Sequence, residues 1–326
     1  FGVFGRVLPG GGPEFVSRPA GNQPFLKTAA SVYTPSNRAH VLTTDGRYFA
    51  FEGGSARLPG GADTHNFGQV FRRDLLTGTV ELLSRRTGAE GALSTGSAAN
   101  PSISADGSRV AFVSYAPLSD DDTNTDGDIY VRDINNQTTT LVSRADGPAG
   151  AVSLNGAGAP IISADGNRVA FASSTTNFGV PGGSSQIYVR DLAANTTTLV
   201  SRADGAAGAA GTSNSLEPGI SGDGNLVVFA SAATNLSPDD LLVDRDIYVR
   251  NLANNTTTLV SRAPGLAGAK LIEYEYGQTI STDGSTVAFE TSENLAVPLG
   301  TPWPAGEEQI VLRKLATGAN SLASSA

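Results

Sequence analysis

The sequence predicts an all-β chain, a six-bladed β-propeller of four-stranded antiparallel blades with an incomplete N-terminal blade. Three observations predict it. An Asp-Gly turn between short apolar runs recurs at nearly even intervals, at Asp45, Asp106, Asp165, Asp223 and Asp283. A second hairpin pattern follows each of these turns and occurs six times in all. The runs flanking both turns are rich in Ile, Tyr, Val, Thr and Phe, the residues that suit a pleated, half-buried strand.

The first pattern reads SADGSRVAF (104–112), SADGNRVAF (163–171), SGDGNLVVF (221–229) and STDGSTVAF (281–289), with a divergent copy, TTDGRYFAF (43–51). The separation of Gly and Phe is the same in every copy. Gly accepts positive φ and Asp bonds to the turn backbone, so each copy is strand A, a tight turn and strand B.

The second pattern reads DIYVRDINNQTTTLVSR (128–144), QIYVRDLAANTTTLVSR (186–202) and DIYVRNLANNTTTLVSR (246–262), with looser copies at 69–85 and 309–325. In each, an Arg precedes a Ser at one fixed separation: Arg73, Arg132, Arg190, Arg250 and Arg313 before Ser84, Ser143, Ser201, Ser261 and Ser324. These are strands C and D. The N-terminal GVFGRVLPGGGPEFVSR (2–18) sets Arg6 before Ser17 at that same separation and makes the sixth copy.

A lone four-stranded sheet leaves apolar faces bare, so such units stack into one ring. The expected organisation is a single domain, 1–326, with a half blade at 1–18 and blades at 19–85, 86–144, 145–202, 203–262 and 263–326. Val110, Phe112, Val169, Phe171, Val227, Phe229, Val287 and Phe289 are expected between blades. The half blade lacks strands A and B, and its open edge is a template for a partner chain to complete.

The run Ser-x-Asp-Gly-x-x-Val-Ala-Phe, followed by Ile-Tyr-Val-Arg-Asp-Leu, resembles the TolB-like propeller repeat of bacterial proteins, across nearly the whole chain. Asn235-Leu236, Asn294-Leu295 and the Leu-Val-Ser-Arg ends resemble a secreted bacterial subgroup of unknown function. The resemblance implies an extracytoplasmic location: periplasm, cell surface or extracellular space. It carries over no functional residue, because the shared motif residues are structural.

Composition removes several function classes. There is no Cys, which excludes disulfides, thiolate metal sites and Cys nucleophiles. The net charge of −9 opposes binding to nucleic acid. No apolar run reaches the ~18 residues of a membrane helix, so no membrane insertion is expected. His40 and His65 are the only histidines, and no Gly-x-Ser-x-Gly elbow is present.

Loop lengths indicate which face recognises a ligand. The A–B and C–D turns are constant. The stretch from strand-B Phe to strand-C Arg varies, from Phe171–Arg190 at its shortest to Phe289–Arg313 at its longest. The D–A connection keeps one length in four cases and is longer in the first, Ser17 to Asp45. The B–C and D–A end is therefore the expected recognition face. In the fifth blade it carries Glu273, Tyr274, Tyr276, Trp303 and Glu307, an aromatic and acidic patch suited to stacking on a sugar or a peptide. Trp303 could equally plug the ring seam.

The repeated Arg and Asp read as scaffold ion pairs or turn caps. Asn195-Thr-Thr and Asn255-Thr-Thr match the glycosylation sequon but read as copied hairpin turns. In the second blade, Asp122-Thr-Asn124-Thr-Asp126-Gly127 matches the start of a calcium loop, with oxygen ligands at positions 1, 3 and 5 and Gly at 6. Asp133 superficially completes an EF-hand. Strand C would carry it on the order of 15 Å from Asp128 at ~3.3 Å per residue, too far to coordinate. Asp120 or Asp121 would then supply the missing oxygens. The other reading is a solvated acidic loop.

The function expected is a non-enzymatic scaffold that binds another protein or a glycan, or builds a surface assembly. The competing classes are a glycan hydrolase or lyase and an accessory propeller of a larger enzyme.

Overall fold

A computed structural model describes residues 4–5, 14–15, 31–33, 41–54, 67–180, 183–271, 275–293 and 308–323. Every regular element among them is a β-strand. The N-terminal hairpin pairs β1 (Phe4–Gly5) with β2 (Glu14–Phe15). Five four-stranded antiparallel sheets follow in chain order. The first blade holds β3 (Ser31–Tyr33), β4 (Tyr48–Gly54), β5 (Gln69–Asp74) and β6 (Val80–Leu82). The second holds β7 (Ala98–Ile103), β8 (Arg109–Ser114), β9 (Asp128–Asp133) and β10 (Thr138–Leu141). The third holds β11 (Ala157–Ile162), β12 (Arg168–Ser173), β13 (Gln186–Asp191) and β14 (Thr196–Leu199). The fourth holds β15 (Ser215–Ile220), β16 (Leu226–Ser231), β17 (Asp246–Asn251) and β18 (Thr256–Leu259). The fifth holds β19 (Tyr276–Ile280), β20 (Thr286–Thr291), β21 (Gln309–Lys314) and β22 (Asn320–Leu322).

The core lies between sheets. One cluster joins Ile161, Ile187 and Val189 of the third blade to Val227, Phe229 and Tyr248 of the fourth. Another joins Ala111, Val113 and Ile129 of the second to Val169 and Phe171 of the third. All eight Val and Phe positions expected between blades are fully buried. In the three middle blades the strand-B Phe sits opposite a strand-C Tyr and stacks on it: Phe112 on Tyr130, Phe171 on Tyr188 and Phe229 on Tyr248. Burying each Phe stabilises by about 1.5–3 kcal/mol, which no isolated sheet obtains.

The Asp-Gly turns behave as the sequence implies. Ser104 Oγ donates to Asp106 (2.7 Å), which also accepts from the Ser108 amide (3.0 Å), while Gly107 takes φ of 74°. Neighbouring turns are joined through backbone: Ala105 N donates to Ala164 O (2.9 Å), Ala164 N to Gly222 O (3.0 Å) and Gly222 N to Thr282 O (2.8 Å). Asn195 and Asn255 occupy the C–D turns in the left-handed region, as copied hairpin turns should.

Two expectations are corrected. The D–A connection does not stay at the B–C end. After strand D it runs back along the outer edge of the next blade as far as that blade's C–D turn. Gly88 N donates to Gln137 O, Gly147 N to Asn195 O, Gly205 N to Asn255 O and Gly265 N to Gly318 O, each at 2.8 Å. The reason is the bare edge of strand D, which the connector covers: Thr139 N donates to Thr87 Oγ1 (3.0 Å) and Thr139 Oγ1 to Arg85 O (2.6 Å).

The repeated strand-C Arg is the second correction. It serves this same connector through carbonyls rather than through a carboxylate, and it caps the C–D turn as the other reading had it: Arg132 donates to Gln137 O (3.0 Å) and Arg313 to Gly318 O (3.0 Å). Arg190 donates to Ala145 O (2.9 Å) and Gly147 O (2.8 Å), and Arg250 to Ala203 O (3.1 Å) and Gly205 O (2.9 Å). The planar guanidinium forks across two carbonyls of the tight loop, of which Gly147 O and Gly205 O also accept from the Gly150 and Gly208 amides.

Strand A carries a bulge at the same place in four blades. Register shifts occur between Ala99 and Ser102, Gly158 and Ile161, Leu216 and Gly219, and Tyr276 and Thr279. Asn100, Ala159 and Glu217 take φ of 53°, 52° and 60° there, although Pro follows each of them. An L-residue before Pro is ordinarily extended, so the sheet imposes this geometry.

Candidate ligand cleft and acidic sites

Two of these bulges reach an open cleft of about 440 Å³ at the B–C end. Tyr115 and Gly127 of the second blade, Asn155 to Ala159 and Ser173 of the third, and Glu217 of the fourth line it. Its floor is small side chains and backbone, and its rim carries Tyr115, which is half exposed. Such a floor admits a flat or extended ligand close to main-chain donors and acceptors. Leu154, Leu241, Leu242 and Val243 are also exposed, all on B–C or D–A segments.

The first residue of strand C organises a second feature at this end. In the first and third blades it is Gln69 and Gln186, in the second and fourth Asp128 and Asp246. A Ser just beyond strand D donates to it in all four, with Ser201 Oγ at 2.6 Å from Gln186 and Ser143 Oγ at 2.6 Å from Asp128. The Gln amide then donates onward: Gln186 Nε2 reaches Gly211 O (3.0 Å) and Ser213 O (3.1 Å). A carboxylate cannot donate.

In the fourth blade a lysine meets that need. Carboxylate atoms of Asp240, Asp244 and Asp246, all buried, lie within 4.8 Å of one another. Lys270 Nζ stands 2.9 Å from Asp244 and 2.9 Å from Asp246. Tyr248 donates to Asp240 (2.5 Å). Burial still pushes the Asp246 carboxyl up to about 6. Nearby Glu275 is fully buried, receives the Thr291 hydroxyl at Oε1, and is driven by burial, then by the Asp246 charge, up to about 9. It is a neutral acid at neutral pH.

The second blade repeats the Tyr–Asp pair but not the convergence: among the described residues the fourth-blade trio is the one carboxylate group close enough to share an ion. Tyr130 donates to Asp122 (2.5 Å), and Asn124 and Asp126 follow at the loop tip. Asp133 is at the far end of β9, held by Arg109 at 3.2 Å, and takes no part. Asp120 and Asp121, the expected further oxygens of the calcium loop, pair with Arg86 (2.6 Å) and Arg144 (3.1 Å). Asp128 feels the Asp122 and Asp126 charges and a hydrogen bond from Asn124.

Of the aromatic and acidic patch, Tyr276 is described: it opens β19, and its hydroxyl donates to Glu308. Glu273, Tyr274, Trp303 and Glu307 lie outside the described residues, as do His40 and His65. The cleft, Asp128, Lys270 and Glu275 were missed from sequence. The alternation of Gln and Asp before Ile-Tyr-Val-Arg, and the Pro inside strand A, were the available signals.

Meander sheets that follow one another along the chain and bury most of their cores against one another define the chain as a β-propeller. TolB from Acinetobacter baumannii aligns with it at 16% identity and a TM-score of 0.50, over 96% of this chain and 57% of that one. An oligogalacturonate lyase in complex with manganese aligns at 13% identity and a TM-score of 0.53, over 90% of this chain and 66% of that one. A putative TolB from Agrobacterium tumefaciens aligns at 14% identity and a TM-score of 0.47, over 86% and 78% of the two chains. The fold is that of a TolB-like propeller. The chain spans a little over half of the Acinetobacter protein's length. No protein-family model and no curated protein sequence matches the chain. No helix among the described residues is long and apolar enough to cross a membrane.

Proposed function

We propose that this chain is a non-enzymatic, extracytoplasmic propeller of six blades that binds a protein segment or a glycan through its B–C end. The cleft carries this reading. It is open, spans three blades, and is walled by backbone and small side chains with Tyr115 at the rim. Exposed Leu154 and Leu241 to Val243 extend apolar surface on the same class of loops, which suits a macromolecular partner. In the same reading residues 1–18 form the sixth blade, and a partner chain completes it.

The test is binding to arrays of bacterial glycans and extended peptides, with Tyr115→Ala and Glu217→Gln beside the wild type. Tyr115→Ala should weaken the captured ligand about tenfold, equivalent to ~1.4 kcal/mol. Binding that ignores both substitutions but falls with Trp303→Ala would move the site to the fifth-blade patch. Capture of neither ligand class rejects the reading.

A further inference from the structure

Strand A of the third blade borders the cleft with bare main chain. β11 is the edge strand of its sheet, and its residues Ala157, Gly158 and Ala159 line the cleft. None of the three carries a side chain larger than a methyl, so a ligand there meets backbone. The bulge leaves Ala159 and Pro160 without cross-strand partners, since Gly158 pairs with Ala172 and Ile161 with Ala170. An edge strand with unpaired main-chain groups is a template for a further strand.

The second blade shows what the bulge amide binds when an acceptor is present. Asn100 holds the place of Ala159 in the repeat, before Pro101 and at the same left-handed φ. Its amide donates to Glu52 Oε2 of the first blade (3.3 Å). Glu52 directly follows the strand-B residue Phe51. The residues that follow Phe112 and Phe171 are Val113 and Ala172, whose side chains accept no hydrogen bond. The first blade thus supplies an acceptor to the second, and the second and third supply none to the blades after them.

Charge decides which acceptor fits. Glu217 lines the cleft from the fourth blade. Exposed Asp126 borders it from the second: a Cβ on Gly156, in the cleft lining, would lie 3.5 Å from Asp126 Cβ. No Lys or Arg lines the cleft among the described residues. Such walls repel a ligand carboxylate and favour a cation next to a neutral carbonyl. A peptide brings a carbonyl at every residue, and its Lys or Arg side chains bring the cation. A neutral glycan has no cation, and an acidic one has the wrong charge.

We propose, resting on the cleft as the binding site, that its occupant is an extended basic segment of a partner protein, added as a strand along the edge of β11. A peptide carbonyl accepts from the Ala159 amide, in the role that Glu52 plays for Asn100. Lys or Arg side chains of the segment pair with Glu217 and Asp126. Main-chain bonds then give affinity, and the two carboxylates give specificity.

Fluorescence anisotropy of the whole chain with labelled extended peptides tests it. The probes are an alternating Lys–Thr peptide, its Glu–Thr counterpart, and the Lys–Thr peptide N-methylated along its chain. The Lys–Thr peptide should bind at least about tenfold tighter than the Glu–Thr peptide. Its affinity should fall as salt rises. N-methylation should cost a similar factor, because it blocks strand pairing and leaves the charge in place. Glu217→Gln should shrink the preference for Lys over Glu, with circular dichroism unchanged. Gly158→Leu, whose Cβ meets open space, should weaken the Lys–Thr peptide without unfolding the blade. Equal affinity for the Lys–Thr and Glu–Thr peptides overturns the proposal, and so does undiminished binding of the N-methylated peptide. Capture of a neutral oligosaccharide and of no peptide overturns it too, while leaving the cleft as a binding site. Capture of neither ligand class rejects both.

Discussion

Lys270 Nζ stands 2.9 Å from Asp246 Oδ2, and both side chains are nearly or fully buried. The ammonium thus offsets part of the charge of a buried carboxylate trio. Lys270→Ala in calcium-free buffer leaves that charge uncompensated and should cost about 3–5 kcal/mol. The exposed pair Arg86–Asp120 offers the contrast: Asp120→Ala should change stability by about 1 kcal/mol at most. Urea denaturation midpoints of the two variants check this, and equal midpoints refute it.

Glu275 should set part of the pH dependence of stability. Its folded value is raised to about 9 from an ordinary 4.5, chiefly by burial. Between these values the native chain holds a proton that the unfolded chain has released. Stability therefore falls as pH rises through that window, by up to about 1.4 kcal/mol per unit. Glu275→Gln mimics the protonated form and should flatten the slope. Melting temperatures at mildly acidic, neutral and mildly alkaline pH decide it, and a variant with the wild-type slope removes Glu275 from the account.

The connector loop should accept no side chain at Gly150. A Cβ there would lie 2.1 Å from Ala145 O, and both groups are backbone. Gly150→Ala should destabilise by about 1–3 kcal/mol or more, as overpacking does. Gly158, at the cleft, has nothing within 4 Å of its Cβ direction, so Gly158→Ala should stay within about 1 kcal/mol of wild type. Matching losses in the two variants would contradict the close backbone approach at Gly150.

Arg190 should hold the connector ahead of the third blade. Arg190→Ala removes the guanidinium from Ala145 O and Gly147 O and should cost about 1.5–3 kcal/mol, the range for hydrogen bonds from a charged donor. Hydrogen exchange at the Gly147 amide, which donates to Asn195 O, should accelerate well before exchange in β13 does. Unchanged protection at Gly147 would show that the backbone bond alone suffices.

The sequence by itself determined the repeat, its strands and its turns. Those depend on local chemistry: positive φ at Gly107, the Asp106 cap, and alternation that buries Val110 and Phe112. It also determined that Asp133 is no ligand, because strand rise is a local quantity. Only the tertiary structure decided what Asp128 and Lys270 do. Asp128 meets Ser143 across a hairpin, and Lys270 reaches Asp246 from the connector that enters the next blade. The same holds for the cleft, which takes residues from three blades. Packing between repeats sets these contacts, and a repeat read singly carries no information about the blade beside it. The two blades thus share a Tyr–Asp pair and a Ser–Asp pair, and Lys270 joins the carboxylates of one where Val152 holds the equivalent place in the other.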